Sequence, residues 1–232
     1  MKIGVVGANG FIGSHIVKNL SVPWNRVYKI TRENFASFSE PVDVMVFAAG
    51  NASKHSARNN PQADFYESVI DVAYALYEYK YKKFILISSI DAAYTGVYSA
   101  HKRCAENIVS GGNGNAILRC GAVIGKGMKK GLIYDLINKI PVRISPESEL
   151  PFISARTVAR VVGDIIKHDL CGGFTVTGKG VVSPLQAAKI LGVEFKYADK
   201  TETQKYQAQN NKNFRYIKES IEYVKKSKCV NG

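Results

Sequence analysis

Apolar runs at KIGVV (2–6), RVYKIT (26–31), DVMVFAAG (43–50), KFILISS (83–89) and NAILRCGAVIG (115–125) predict strands, and segments with apolar residues at spacings of three and four separate several of them. DVMVFAAG has the unbroken apolar character of a parallel strand covered on both faces. After the first run, SHIVKNL carries a helical period through Ile16, Val17 and Leu20. Pro61 suits a first helical turn, and Phe65, Val69, Val72, Ala73 and Leu76 predict a helix over 62–80 with one buried face. YSAHKRCAENIV at 98–109 predicts the next helix. Strand and helix in alternation imply α/β architecture, a Rossmann-like, doubly wound parallel sheet with right-handed crossovers.

Beyond residue 125 the periodicity weakens. TVARVVGDIIK (157–167) reads as a helix and GFTVTG (173–178) as a strand, while Ser183 and Pro184 predict the cap and first turn of a short helix through Leu191. The polar stretch 200–213 predicts an exposed loop, and Asn213 a cap for a final helix through Tyr216, Ile217, Ile221 and Val224. No linker cuts the chain cleanly. The division expected is a cofactor-binding core over 1–125 and a smaller substrate-binding portion over 126–232, intertwined with the core rather than separable.

Composition changes this picture little. A chain of 232 residues with 46% hydrophobic content buries one substantial core. Cys104, Cys120, Cys171 and Cys229 are scattered without metal-ligand spacing, which suits reduced thiols in the cytoplasm and suggests neither a disulfide framework nor a metal site. No apolar run is long enough for a membrane span, and the amino terminus opens on a strand rather than a leader, so neither secretion nor insertion is expected. The net charge of +13 favours phosphate-bearing partners, or equally a solvated lysine-rich surface.

Gly7, Gly10 and Gly13 are spaced by three between the first strand and the first helix. In that setting one glycine permits the sharp turn, one admits backbone N–H groups to a pyrophosphate, and one lets helix and strand pack closely. With Asn9, Phe11 and Ile12 they make the predicted dinucleotide cradle, the helix N-terminus adding partial positive charge. The second strand ends Thr31-Arg32-Glu33, where many NAD sites carry an acid for the ribose 2′-OH. Arg32 suits a 2′-phosphate and so NADP; in the competing reading Glu33 contacts the ribose of NAD.

Tyr98 and Lys102 in YSAHK are four apart and share a helix face. An ammonium beside a phenol favours the phenolate, lowering a pKa that is ordinarily about 10. Together with GANGFIG, FAAG, ILISS and ILRCGAVIG, in that order, YSAHK resembles the extended short-chain dehydrogenase/reductases, a family of nucleotide-sugar epimerases, dehydratases and keto-reductases. The resemblance spans roughly residues 1–170, with PFISARTVARVV (151–162) similar to the family's segment after the sixth strand.

The resemblance implies that Tyr98 is the general acid/base and that Lys102 both tunes it and holds the nicotinamide ribose. Ser89 would bond the reacting sugar oxygen, Ala48 and Ala49 would pass the cofactor, and Cys120 would follow the strand that borders the nicotinamide. Three features depart from the family. Ser89 precedes Tyr98 by only nine residues, Arg156 and Thr157 stand where two aspartates are usual, and the C-terminal part is small. Arg156 then becomes a candidate contact for a substrate phosphate. Asp91 falls where dehydratases carry an acid, but Ile90 replaces the acid that normally precedes it, which favours epimerase or 4-keto-sugar reductase chemistry and leaves Asp91 as a substrate contact or a plain loop residue. Arg119, His55 and His101 read as structural or solvent-facing. The resemblance also implies a homodimer through the helices at 62–80 and 98–110, the first crowded with Tyr66, Tyr74, Tyr77, Tyr79 and Tyr81. A catalytically silent cofactor sensor or RNA-binding protein on the same fold is the rival reading, motivated by the charge.

Overall fold

The computed structural model describes residues 1–206. The chain runs β1 (Lys2–Val6), α1 (Phe11–Leu20), β2 (Arg26–Ile30), β3 (Val44–Phe47), α2 (Lys54–Asn59), α3 (Pro61–Phe65), a π-helical turn (Tyr66–Ile70), α4 (Asp71–Glu78), β4 (Lys83–Ser89), a 3-10 turn (Ile90–Ala93), α5 (Val97–Ser110) and β5 (Ala116–Cys120). It continues through β6 (Ala122–Ile124), α6 (Leu132–Ile137), β7 (Val142–Ile144), β8 (Phe152–Ser154), α7 (Ala155–Lys167), β9 (Gly172–Val176), α8 (Pro184–Leu191) and β10 (Tyr197–Glu202). Two compact units result among the described residues: Met1–Cys120 with Val158–Thr175, and Gly121–Thr157 with Val176–Tyr206.

The first unit is built on a six-stranded sheet of order β2-β1-β3-β4-β5-β9. The pairs β1·β2, β1·β3, β3·β4 and β4·β5 are all parallel, with Ile3 level with Val27 and Val44. Every residue of β3 is buried, as its unbroken apolar run predicts. Phe47 and Phe84 stack with ring centroids 6.3 Å apart, and burial of such side chains stabilises by roughly 1.5–3 kcal/mol each. Because β2 lies on one side of β1 and β3 on the other, the strand order reverses at β1, which puts the topological switch point at the carboxyl ends of β1 and β3.

The rotation of α5 is fixed by a buried carboxylate. Glu106 accepts from Arg119 Nε at 2.9 Å and from Ser88 Oγ at 2.5 Å, tying the helix to β5 and β4. Arg119, read from the sequence as structural or solvent-facing, has a side chain 43% exposed and ion-paired with Glu106.

The helix predicted over 62–80 is interrupted. Asn60 caps α3 by accepting from the Ala63 N–H, and Pro61 takes the first turn, but residues 66–70 form a π-helical turn. That turn closes longer rings than an α-helix and rotates the face before it relative to the face after it. Asp64 and Ser68 are therefore buried, along with Val69, Val72, Ala75 and Leu76, whereas Phe65, assigned to the buried face by periodicity, is 38% exposed. The tyrosine cluster also divides: Tyr66, Tyr74 and Tyr77 are exposed, but the Tyr79 hydroxyl donates to the Phe35 carbonyl and that of Tyr81 to the Leu76 carbonyl, each at 2.6 Å. The short helix α2, capped by Ser53, has no apolar period to announce it.

In the second unit the strand predicted over 115–125 breaks at Gly121. A Cβ there would lie 2.3 Å from the Pro151 carbonyl oxygen, and β6 beyond it pairs in parallel with β8. Ser183 and Gln186 form the capping box of α8, in agreement with the predicted start. Residues 200–202, expected in a loop, belong to β10, which pairs with β7; its residues are almost all exposed, so no apolar alternation marks it. The helix expected from Asn213 and Cys229 lie outside the described residues. No helix among the described residues is long and apolar enough to cross a membrane.

Candidate active site

The glycine turn is enforced by contact. Gly7 has φ +76°, and a Cβ on it would sit 2.9 Å from the Ala48 carbonyl oxygen and from the Ala49 nitrogen. A Cβ on Gly13 would lie 2.1 Å from the Gly7 carbonyl oxygen, so any side chain would push α1 off the turn. Gly10 donates its N–H to Gly7 at 2.8 Å and caps α1 with no side-chain hydrogen bond. Asn9 and Gly10 are exposed, Phe11 and Ile12 partly so, which leaves the outer face of the turn and the first N–H groups of α1 accessible. This cradle fits a pyrophosphate.

The same edge carries the residues named from YSAHK. A Cβ on Gly50, just past β3, would lie 3.6 Å from Lys102 Nζ. Lys102 Nζ is 5.3 Å from the centre of the Tyr98 ring, and the Ser89 hydroxyl at the end of β4 acts on the Tyr98 phenol. Gly7, Ala48, Ala49, Lys102, Tyr98 and Ser89 are thereby brought together. Cys120, buried at the end of β5, acts on the Tyr98 phenol electrostatically, and burial pushes its own thiol up to about 12.

The electrostatics differ from the simple tyrosine–lysine expectation. Burial pushes the Tyr98 phenol above its ordinary value; the Asp91 charge adds to that, the Ser89 hydroxyl opposes it, and Asp64 adds again. Lys102 Nζ, over the Tyr98 ring, also donates to Ser68 Oγ at 3.5 Å.

Two neighbours have no signal in the sequence. Lys54 Nζ lies 2.6 Å from Asp91 Oδ1, so Asp91 is paired rather than a plain loop residue. Asp64, with a side chain 1% exposed, receives His101 Nδ1 at 2.6 Å, Asn51 Nδ2 at 2.9 Å and Ser68 Oγ at 3.3 Å. His101 is therefore not solvent-facing, since its ring is held by a buried carboxylate. His55 is exposed and contacts Asn59.

At the end of β2 the Arg32 side chain is 93% exposed, 3.7 Å from Glu67. Glu33 accepts a hydrogen bond from Thr31 Oγ1, which holds its carboxyl below the usual range. Arg156 is exposed at the start of α7 in the second unit. Among the described residues, no group of histidine, cysteine, aspartate or glutamate is arranged to hold a metal.

No protein-family model matches the sequence, and no curated protein matches it significantly. Solved structures match across nearly the whole chain. A UDP-glucuronic acid 4-epimerase from Bacillus cereus, in complex with UDP-glucuronic acid and NAD, aligns at TM-score 0.79 and 17% identity over 97% of this chain and 98% of the other. A dTDP-4-dehydrorhamnose reductase from Clostridium acetobutylicum aligns at 0.77 and 20% identity over 98% and 100%. An NAD-dependent NDP-hexosamine 5,6-dehydratase of tunicamycin biosynthesis aligns at 0.81 and 16% identity over 100% and 99%. The chain shares the Rossmann-like α/β fold of these structures. Within this fold the glycine turn, β3 end, β4 end and α5 of the present chain occupy one edge of one sheet.

Proposed function

We propose that the chain is a nicotinamide-dependent enzyme of the extended short-chain dehydrogenase/reductase family acting on a nucleotide-linked sugar, as an epimerase or a 4-keto-sugar reductase. The observation that carries this reading is the continuity from Gly7 through Ala49 and Gly50 to Lys102, Tyr98 and Ser89 on one sheet edge. Backbone N–H groups of the Asn9–Gly13 turn hold the pyrophosphate, Ala48 and Ala49 flank the dinucleotide, Lys102 holds the nicotinamide ribose, and Cys120 borders the ring. The nicotinamide, when bound, exchanges hydride with a sugar carbon. Tyr98 passes a proton to or from the sugar oxygen, Ser89 bonds that oxygen, and Asp91 and Arg156 contact substrate. The exposed Arg32, with Glu33 engaged by Thr31, favours NADP over NAD.

The test is Tyr98→Phe, which should keep cofactor affinity and lose turnover; wild-type turnover in that variant defeats the assignment. The unpaired Cys104, Cys120 and Cys171 suit a reducing, cytoplasmic setting. Exposed Tyr66, Tyr74 and Tyr77 suit a homodimer interface, which sedimentation at micromolar concentration decides. The second reading, a silent cofactor sensor or RNA binder, is motivated by the net charge of +13; it requires salt-dependent RNA affinity that survives Tyr98→Phe.

A further inference from the structure

Both oxygens of the Asp64 carboxylate on α3 are engaged, and its side chain is 1% exposed. Oδ2 receives His101 Nδ1 at 2.6 Å, while Oδ1 receives Asn51 Nδ2 at 2.9 Å and Ser68 Oγ at 3.3 Å. The Ser68 oxygen in turn accepts from Lys102 Nζ at 3.5 Å. An ammonium only donates and a carboxylate only accepts, so the line runs from Lys102 to Ser68 to Asp64, and the imidazole meets the same carboxylate as an Nδ1–H donor. His101 and Lys102 are adjacent on α5, so one helix reaches a single carboxylate twice, once directly and once through a hydroxyl.

We propose that Asp64 and His101 are positioning residues for Lys102: acting through Ser68, they hold its ammonium beside Gly50 before a nicotinamide ribose arrives. The inference rests on the function proposed above, in which Lys102 holds that ribose, and adds the groups that preset it. A lysine stem has many rotamers, and a ligand that must order the stem loses affinity; ordering it in advance removes that loss. Lys102 is buried, with a Cβ on Gly50 3.6 Å from Nζ and the Tyr98 ring centre 5.3 Å from it. Asp64 is itself fixed, because Asn51, which donates to it, also accepts the Ser53 N–H at 2.9 Å and so ties the carboxylate to the segment after β3.

His101 also packs edge-on against Phe65, with ring centroids 5.2 Å apart. A pair that only braced the fold would act on stability and treat every ligand alike. A pair that acts through Lys102 discriminates between the two halves of a dinucleotide. In the proposed site the adenosine half belongs to the Asn9–Gly13 turn and Arg32, and only the nicotinamide ribose belongs to Lys102.

The experiment compares two ligands by calorimetry on the full chain: NADPH, which carries the nicotinamide ribose, and adenosine 2′,5′-bisphosphate, which lacks it. His101→Leu and Ser68→Ala should each weaken NADPH by about fivefold or more and leave the bisphosphate within about twofold. His101→Asn, whose amide places an N–H donor where Nδ1 stood, should restore most of the loss. Equal weakening of both ligands overturns the proposal, as does wild-type NADPH affinity in either folded variant, or a His101→Asn no better than His101→Leu. Ser68→Ala leaves the His101–Asp64 contact in place and keeps the test open should His101→Leu not fold. A second readout needs no cofactor. With 15Nζ-labelled lysine, the Lys102 ammonium, identified by its loss in Lys102→Met, should exchange protons with water more slowly in the wild type than in Ser68→Ala; equal rates overturn the proposal. If neither NADPH nor NADH binds the wild type, the enzyme reading fails, and the ammonium exchange alone then decides whether these residues hold Lys102.

Discussion

His101 Nδ1 lies 2.6 Å from Oδ2 of Asp64, a carboxylate whose other oxygen receives Asn51 and Ser68. The contact joins α5 to the segment that follows β3, and so holds Lys102 and Tyr98 against the end of the strand that flanks the glycine turn. Removing the imidazole leaves a buried carboxylate short of a partner. His101→Ala is therefore expected to destabilise the fold by roughly 2 kcal/mol or more. Chemical denaturation checks this, and an unchanged midpoint would show that the pair is incidental.

Gly13→Ala should be more severe than its single methyl group suggests. The new Cβ would meet the Gly7 carbonyl oxygen at 2.1 Å, with the Gly7 carbonyl carbon at 2.8 Å behind it. The expected outcome is loss of dinucleotide binding by calorimetry together with a lowered melting temperature. A variant that binds NADP+ like the wild type would mean that the turn does not carry the cofactor.

Alkaline pH should unfold the protein through its buried phenols. Burial raises both Tyr79 and Tyr98 above the ordinary value of 10.0. The folded state then holds these protons more tightly than the unfolded chain. Their contribution to stability is complete below about pH 10 and is lost as the pH rises beyond it. Urea unfolding between about pH 9 and pH 11 should show a fall in stability that Tyr79→Phe and Tyr98→Phe each make shallower; equal slopes in all three proteins contradict the assignment.

Arg32→Ala tests cofactor choice. An exposed guanidinium at the end of β2 should contribute a charge-assisted bond to a 2′-phosphate, which is worth about tenfold or more in affinity. NADP+ affinity should drop by about that factor while NAD+ affinity holds; an equal effect on both would assign Arg32 to the surface and return the ribose to Glu33.

The parts of this architecture that are legible in the sequence share one property: each is written in consecutive or regularly spaced residues. The strands of the main sheet are unbroken apolar runs, the turn is three glycines at equal spacing, and Tyr98 and Lys102 are one helical turn apart. The parts that are not legible depend on distant partners or on backbone irregularity. Asp64 and His101 are 37 positions apart, and nothing local in either marks the other. Lys54 meets Asp91 only because α2 and the turn after β4 reach the same sheet edge. The π-helical turn inserts a rotation that no apolar period encodes, which is why periodicity puts Phe65 on the buried face and passes over Asp64. Tyr79 and Tyr81 read as interface residues because a hydroxyl's backbone partner is invisible in composition.

Whether the turn at Asn9–Gly13 holds a nicotinamide dinucleotide beside Tyr98 is measured most directly by titrating NADPH into the full chain and following nicotinamide fluorescence. Saturable binding at one site per chain is expected, retained in Tyr98→Phe and lost in Gly13→Ala. If neither NADPH nor NADH binds saturably to the folded wild type, the turn is not a cofactor site and the enzyme assignment falls with it.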